Sequence, residues 1–304
     1  MWFKNLQVFR LTNWHLSATA LNDQLALRPL QECLGGDAQS QGWVGPQDDR
    51  LAYSLAGHFF ITLGTEKKLL PGTVVTQYTA AKAKVFEEDH GYRPSKKQLR
   101  DIKTAVHEEL LRRAFVVRQT TPAWIDPAGG WLVVDSPSPA RADELLTILR
   151  QSGVEFSATP IKTHRSPVAA MTGWLAGDEL PALFSVDRDC ELRAREDERA
   201  KVRYAHHTLD SEGIRNHISA GNEVTRLALT WADKISFVLH EPFQLKRLAF
   251  IGTIDTNPED AQEAFESDMA LMSGELSRLL PDLIDALGGE VSPVGGDVVA
   301  DVTH

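Results

Sequence analysis

Residues 66–118 read EKKLLPGTVVTQYTAAKAKVFEEDHGYRPSKKQLRDIKTAVHEELLRRAFVVR. Two helical periods lie inside this stretch, and strand-like sequence lies on both sides of it. The first helical segment runs from about Val74 to His90 and is broken by Gly91 and Pro94. The second starts at Ser95, which forms an S-x-x-Q capping box with Gln98. Leu99, Ile102, Val106 and Leu110 recur at helical spacing and predict its apolar stripe, with Lys96, Arg100 and Lys103 flanking it. The pair predicts an αα-hairpin over about 73–115, inserted as a protrusion between strands.

Working outward, Trp2 to Leu11 predicts a strand and residues 17–29 a helix. Leu51 to Leu63 predicts a β-hairpin turning at Ala56-Gly57-His58. Beyond the helices, Trp124-Ile125-Asp126 and Trp131-Leu132-Val133-Val134-Asp135 flank Pro127-Ala128-Gly129-Gly130, a second hairpin signal. Ala140 to Arg150 predicts a helix and Phe156 to Ile161 a strand. The mixed charges of 187–203 suggest a solvated surface segment. Asp210 can cap a helix that ends at Gly221. Three antiparallel strands are expected at Val224–Trp231, Ile235–Leu239 and Leu245–Ile254. An acidic helical region follows over 259–289, with Pro281 as a kink or boundary. The expected fold is therefore α+β, with antiparallel sheets. Its parts are an α+β domain (1–72 and 116–165), a protruding helical hairpin (73–115), a C-terminal region (166–290) and a disordered tail (291–304).

Charge is divided unevenly along the chain. The formal net charge is -10, yet residues 251–304 hold twelve acids against one base, Arg278. Residues 66–118 hold twelve Lys or Arg against seven Asp or Glu. Such sign asymmetry is the footprint of a polyanion-binding surface in an acidic protein. Lys96 and Lys97 sit in a first helical turn, where the helix dipole disfavours cations by roughly 0.3–1 kcal/mol each. Phosphate would meet both these side chains and the free backbone N–H groups there. No base-reading motif is present, so sequence-independent phosphate contact is the expected mode.

Other chemistry has little support. Neither a dinucleotide-binding nor a P-loop glycine pattern occurs, and no cofactor is expected. Val106-His107-Glu108-Glu109 opens like a zincin helix, but position 111 is leucine, so no metal is expected. His206-His207 reads as an exposed polar loop, and Cys33 and Cys190 as free thiols of a reducing compartment. No signal peptide or membrane-length apolar run is apparent, which predicts a soluble, cytoplasmic chain without a membrane partner. An alternative to DNA binding is a protein-interaction module that uses the acidic C-terminal helices.

An ordered series of short motifs carries a resemblance. It begins with Trp2-Phe3-Lys4-Asn5-Leu6, Gly42-Trp43-Val44 and Leu69-Leu70-Pro71. Leu110-Leu111-Arg112-Arg113-Ala114-Phe115, Trp124-Ile125-Asp126 and Asn216-His217-Ile218 follow. Val224 to Leu229, Leu245-Lys246-Arg247-Leu248, Met272 to Leu276 and Leu287-Gly288-Gly289-Glu290 complete it. In this order the chain resembles the recombination-associated protein RdgC family of proteobacteria.

The resemblance implies a non-enzymatic, nucleoid-associated protein. Two chains would close into a ring-shaped homodimer around duplex DNA, bound without sequence preference, and would restrain RecA-mediated recombination. Phe115, at the phenylalanine of the R-A-F motif, would help close a dimer contact; core packing at a helix end is its other reading. The expected DNA-binding set is Lys82, Lys84, Arg93, Lys96, Lys97, Arg100, Lys103, Arg113 and Arg118 from the basic stretch. Lys4, Arg226, Lys246 and Arg247, at basic motif positions, would join them. Some members carry a lysine-glutamine pair where this chain has His206-His207, and neutral histidines there would weaken phosphate contact above pH ~6.5.

Overall fold

The computed structural model describes residues 2–47, 49–195, 199–209, 212–252 and 260–291. Its elements in chain order begin with β1 (Asn5–Thr12), α1 (Ala18–Leu25), β2 (Gln39–Val44), β3 (Ala52–Leu55) and β4 (His58–Leu69). Then come α2 (Gly72–His90), α3 (Lys96–Arg113), β5 (Phe115–Asp126), β6 (Trp131–Asp135), α4 (Pro139–Gln151) and β7 (Ser157–Pro160). The rest are α5 (Pro167–Ala176), β8 (Phe184–Ala194), β9 (Lys201–Tyr204), α6 (Glu212–Ser219), β10 (Asn222–Trp231), β11 (Ile235–His240), β12 (Gln244–Phe250) and α7 (Ala261–Ala286). The class is α+β, and among the described residues the named strands pair antiparallel throughout.

One sheet runs through the molecule in the order β2-β4-β5-β6-β1-β12-β11-β10-β8-β9, with β3 on β4 and β7 on β1. Its centre is buried on both faces. Along β4, β5 and β6, Phe60, Trp124, Trp131 and Val133 enter one core. The alternate residues Phe59, Ile61, Ile125, Leu132 and Val134 enter another, beneath α1 and α4. Burial on both faces is why Trp131-Leu132-Val133-Val134 is apolar without alternation. The first core extends under β8 and β10–β12 and is covered by α5 and α7. Among the described residues, the face that carries α1 and α4 in one half of the sheet carries no helix in the other half, and the cleft described below opens there.

Local signals place the helices. Gly91 caps α2 at φ 75, a left-handed conformation that glycine adopts without a Cβ penalty. The Ser95–Gln98 capping box is complete at the start of α3. The two helices pack on each other and connect β4 to β5, whose ladder runs from Phe59↔Ile125 to Leu69↔Phe115. That ladder extends the Leu51–Leu63 strand expectation to Leu69.

Three expectations are corrected. The charged run 187–203 contains β8 and β9, with Cys190, Glu191 and Leu192 buried. Alternation along a sheet strand, not surface position, explains its mixed character. Leu99 is exposed, and Leu111 is buried instead, beside Val106. Pro281 is no boundary between two helices, because it lies inside one continuous helix. A helix-interior proline costs about 3 kcal/mol, but Leu279, Leu280, Leu283 and Ile284 are buried around it. Each such side chain contributes about 1.5–3 kcal/mol, so packing outweighs the break. The Asp210 cap and the tail beyond Val291 lie outside the described residues.

Candidate nucleic-acid interface

The face of β8–β12 opposite the first core carries a cleft of about 270 Å³. Arg226 comes from β10, Val238 and His240 from β11, and Lys246 and Arg247 from β12. Asp189, Cys190 and Glu191 of β8, Arg203 and Tyr204 of β9, and Asn5 of β1 complete its walls. Two irregularities shape it. The β10–β8 register shifts between Val224 and Arg226, and the β11–β12 register shifts between Ser236 and Val238. Bulges of this kind bend a strand and re-aim a side chain. Arg247, within the second, has φ 55. A bulky side chain in the left-handed region costs of order 1–3 kcal/mol and is typical of functional sites.

Four cations and two carboxylates meet in this cleft. Glu191, buried on β8, takes Arg226 Nη1 at 3.2 Å and Lys201 Nζ at 3.4 Å, and Thr225 Oγ1 also donates to it. Asp189 lies 3.8 Å from Arg247. Lys246 and Arg203 have no carboxylate within ion-pair distance among the described residues. Burial holds His240 far below its ordinary value, at about 4. Arg226 and Lys246 add to that effect, Glu191 opposes it, and Arg247 adds a smaller contribution. The imidazole is therefore neutral near pH 7 in a cleft with surplus positive charge. Burial and the neighbouring Asp189 push the Cys190 thiol up to about 11.

The second group of cations lies on the helices. On α2, Lys82 meets Glu109 of α3 at 2.5 Å, which holds the Glu109 carboxyl below its usual range. Lys84 is 3.9 Å from Glu88. Arg93, in the connection, is 3.2 Å from Glu87. These three have the local partners of an ordinary solvated surface. Lys96, Lys97, Arg100 and Lys103 are all exposed and none has an ion-pair partner among the described residues. Lys96, Arg100 and Lys103, at i, i+4 and i+7, share one face of α3. Three cations stacked on one face repel one another, and Lys96 and Lys97 in the first turn also oppose the helix dipole.

The remaining predicted residues are more scattered. Arg113 ends α3, and Arg118 lies on β5 opposite Glu66; both are exposed. Lys4 is exposed just before β1, and its backbone amide and that of Asn5 donate to Asp135, whose carboxyl burial raises. Asn5, not Lys4, lines the cleft. Phe115 is the first residue of β5 and is 83% exposed, which removes the core-packing reading. Leu69 opposite it is 60% exposed, so the ladder ends in a bare apolar pair. His206 and His207 lie in an exposed loop, the His206 amide donating to Asp189 at 2.8 Å.

Sequence reasoning missed Glu191, Arg203 and His240. The period-2 signal was present: Ile235, Phe237 and Leu239 are buried, which sets Val238 and His240 on the opposite face. Among the described residues, no group of three or more His, Cys, Asp or Glu side chains is placed to hold a metal ion. No helix among them is long and apolar enough to cross a membrane.

A family model described as "Putative exonuclease, RdgC" matches residues 1–290. The recombination-associated protein RdgC of Herminiimonas arsenicoxydans is 49% identical over 296 residues, covering 95% of this chain and 99% of that protein. The protein of the same name from Janthinobacterium sp. (strain Marseille) is 48% identical over 297 residues, covering 96% and 99%. That from Dechloromonas aromatica (strain RCB) is 46% identical over 300 residues, again covering 96% and 99%.

Proposed function

The chain belongs to the RdgC family, and on that premise we propose that it binds duplex DNA without sequence preference and does no chemistry on it. The observation that carries this reading is the set of four exposed cations on α3 without ion-pair partners among the described residues. Lysine and arginine released from internal pairing are available to displace condensed counterions from a phosphate backbone. Arg226, Lys246 and Arg247 form a second contact group in the cleft of the β8–β12 sheet face. The family's recombination-associated name agrees with a role in which DNA occupancy restrains RecA-mediated exchange on the nucleoid.

In this reading two chains form a ring. The α2–α3 pair is a tip hairpin, β4–β6 with β1 the central part, and β8–β12 with α7 the base. Phe115 and Leu69 supply apolar area to a contact between chains. A side chain as large as phenylalanine at 83% exposure gains by being covered in an assembly.

The test is an electrophoretic shift with two unrelated duplexes and with closed-circular and linear plasmid, beside a mass measurement of the free protein. Equal affinity for both duplexes, retention on the closed circle and a dimer mass are expected. A monomer that shifts neither duplex overturns the reading. Plasmid cleavage on adding a divalent metal would overturn its non-enzymatic part.

A further inference from the structure

The cleft of β8–β12 differs from a plain cationic patch in three ways, and together they point to a ligand. It is a concave space of about 270 Å³, not a convex face. Its floor carboxylate, Glu191, is buried and committed to Arg226, Lys201 and Thr225. One imidazole, His240, stands among its cations. The Arg226 side chain is 44% exposed. Glu191 keeps Lys201 and Thr225 when Arg226 turns outward, so an incoming phosphate can share Arg226 without leaving the buried carboxylate unpartnered.

We propose that this cleft is a pocket for one phosphate group, and that His240 takes up a proton when the pocket fills. The inference rests on the reading of this face as phosphate-binding and gives it a defined seat. Lys246 and Arg203 supply cations without internal partners; Arg226 and Arg247 are released from Glu191 and Asp189.

The groups facing His240 decide the direction of the proton linkage. Sharing the cleft with it are Arg226 from β10, Lys246 and Arg247 from β12, and Arg203 and Tyr204 from β9. Asp189, Cys190 and Glu191 of β8 and the neutral Asn5 of β1 complete the cleft around it. In the empty cleft burial and this cationic surplus keep the ring neutral, with a midpoint of about 4. A phosphate offsets the surplus and accepts a hydrogen bond from the protonated ring, so the midpoint rises on binding. Affinity then weakens as pH rises from about 4 towards the midpoint of the filled pocket, by up to roughly tenfold per pH unit for one linked proton. The phosphate could belong to a polynucleotide backbone or be free phosphate.

The test follows the His240 ring by NMR in the full-length chain as pH is varied. Three samples are compared at equal ionic strength: chloride alone, added inorganic phosphate, and an added 16-base-pair duplex. A rise of about one unit or more in the His240 midpoint with both ligands is expected. A rise with inorganic phosphate alone supports the pocket and assigns it to free phosphate. If the duplex then also fails to bind anywhere, the DNA reading falls while the pocket stands. No movement with either ligand, while the duplex still binds, overturns this inference and leaves the DNA reading intact. Two variants provide a second check. H240Q should flatten the pH dependence of phosphate binding, and E191Q, which removes the competing carboxylate, should tighten it several-fold. An unchanged pH slope in H240Q with weaker binding in E191Q would also overturn the proposal.

Discussion

The face of α3 and the cleft of β8–β12 carry the same charge in opposite settings. On α3, Lys96, Lys97, Arg100 and Lys103 are exposed and unpaired among the described residues. In the cleft, Arg226 and Arg247 are held on Glu191 and Asp189, on strands distorted by register shifts. The helix cations are bound to nothing that folding needs, so they can be lost without loss of the fold. Arg226 holds a buried carboxylate, so its removal should disturb folding as well as binding. Charge count alone does not distinguish these two kinds of basic surface; the partners of each cation do.

The largest effect should come from the helix. Replacing Lys96, Lys97, Arg100 and Lys103 together by alanine should reduce the slope of log affinity against log salt by about 3–4, with an affinity loss of about a hundredfold or more at low salt. Thermal stability should hold or rise slightly, because two cations that oppose the dipole and a stack of three that repel one another are gone. A large fall in melting temperature would place these side chains in the fold and break the contrast.

Arg226→Ala should do the reverse. It leaves Glu191 buried with a lost partner, which costs about 1–3 kcal/mol, while the salt slope falls by only about 1. Lys246→Ala should lower the slope equally and leave the melting temperature in place. If R226A and K246A are equally stable, Glu191 is not held as described. Phe115→Asp separates assembly from folding. The side chain is 83% exposed, so monomer stability should change by no more than about 0.5 kcal/mol, and the dimer should weaken.

The pH dependence of stability gives a smaller effect. His240 has a folded value of about 4, below the 6.5 expected when unfolded. The unfolded chain therefore binds more protons in that interval. The stability His240 contributes is present above pH 6.5 and is lost as pH falls towards 4. After solvent screening of a half-buried group, about 1 kcal/mol is expected. Urea melts of wild type and H240Q should diverge in this window and run parallel above it. The smallest effect is chemical: Cys190, with its thiol raised to about 11, should react with a disulfide reagent at pH 8 far more slowly folded than unfolded.

Features governed by neighbouring residues were legible in the sequence. The Ser95–Gln98 box, Gly91 and the turn at 127–130 each act within a few residues, and each placed its element. The cations of α3 were legible as well, because their positions on the helix follow from the period. The cleft was not. Arg226 and Arg247 owe their aim to register shifts between strands, and a shift belongs to a pair of strands. Glu191 looked like one charge in a charged run, since nothing local marks it as the residue that faces Arg226 across β8 and β10. Pro281 misled for the same reason: the packing that keeps α7 whole comes from the opposite side of the core.

The central claim, that two separate cation groups contact phosphate without reading sequence, is tested most directly by one titration. Affinity for two unrelated duplexes of equal length is measured across a salt series with the full-length protein. With six or more phosphates neutralised, a common slope of about -5 or steeper is expected for both duplexes. A slope shallower than about -2, or clearly different affinities for the two sequences, would contradict the account.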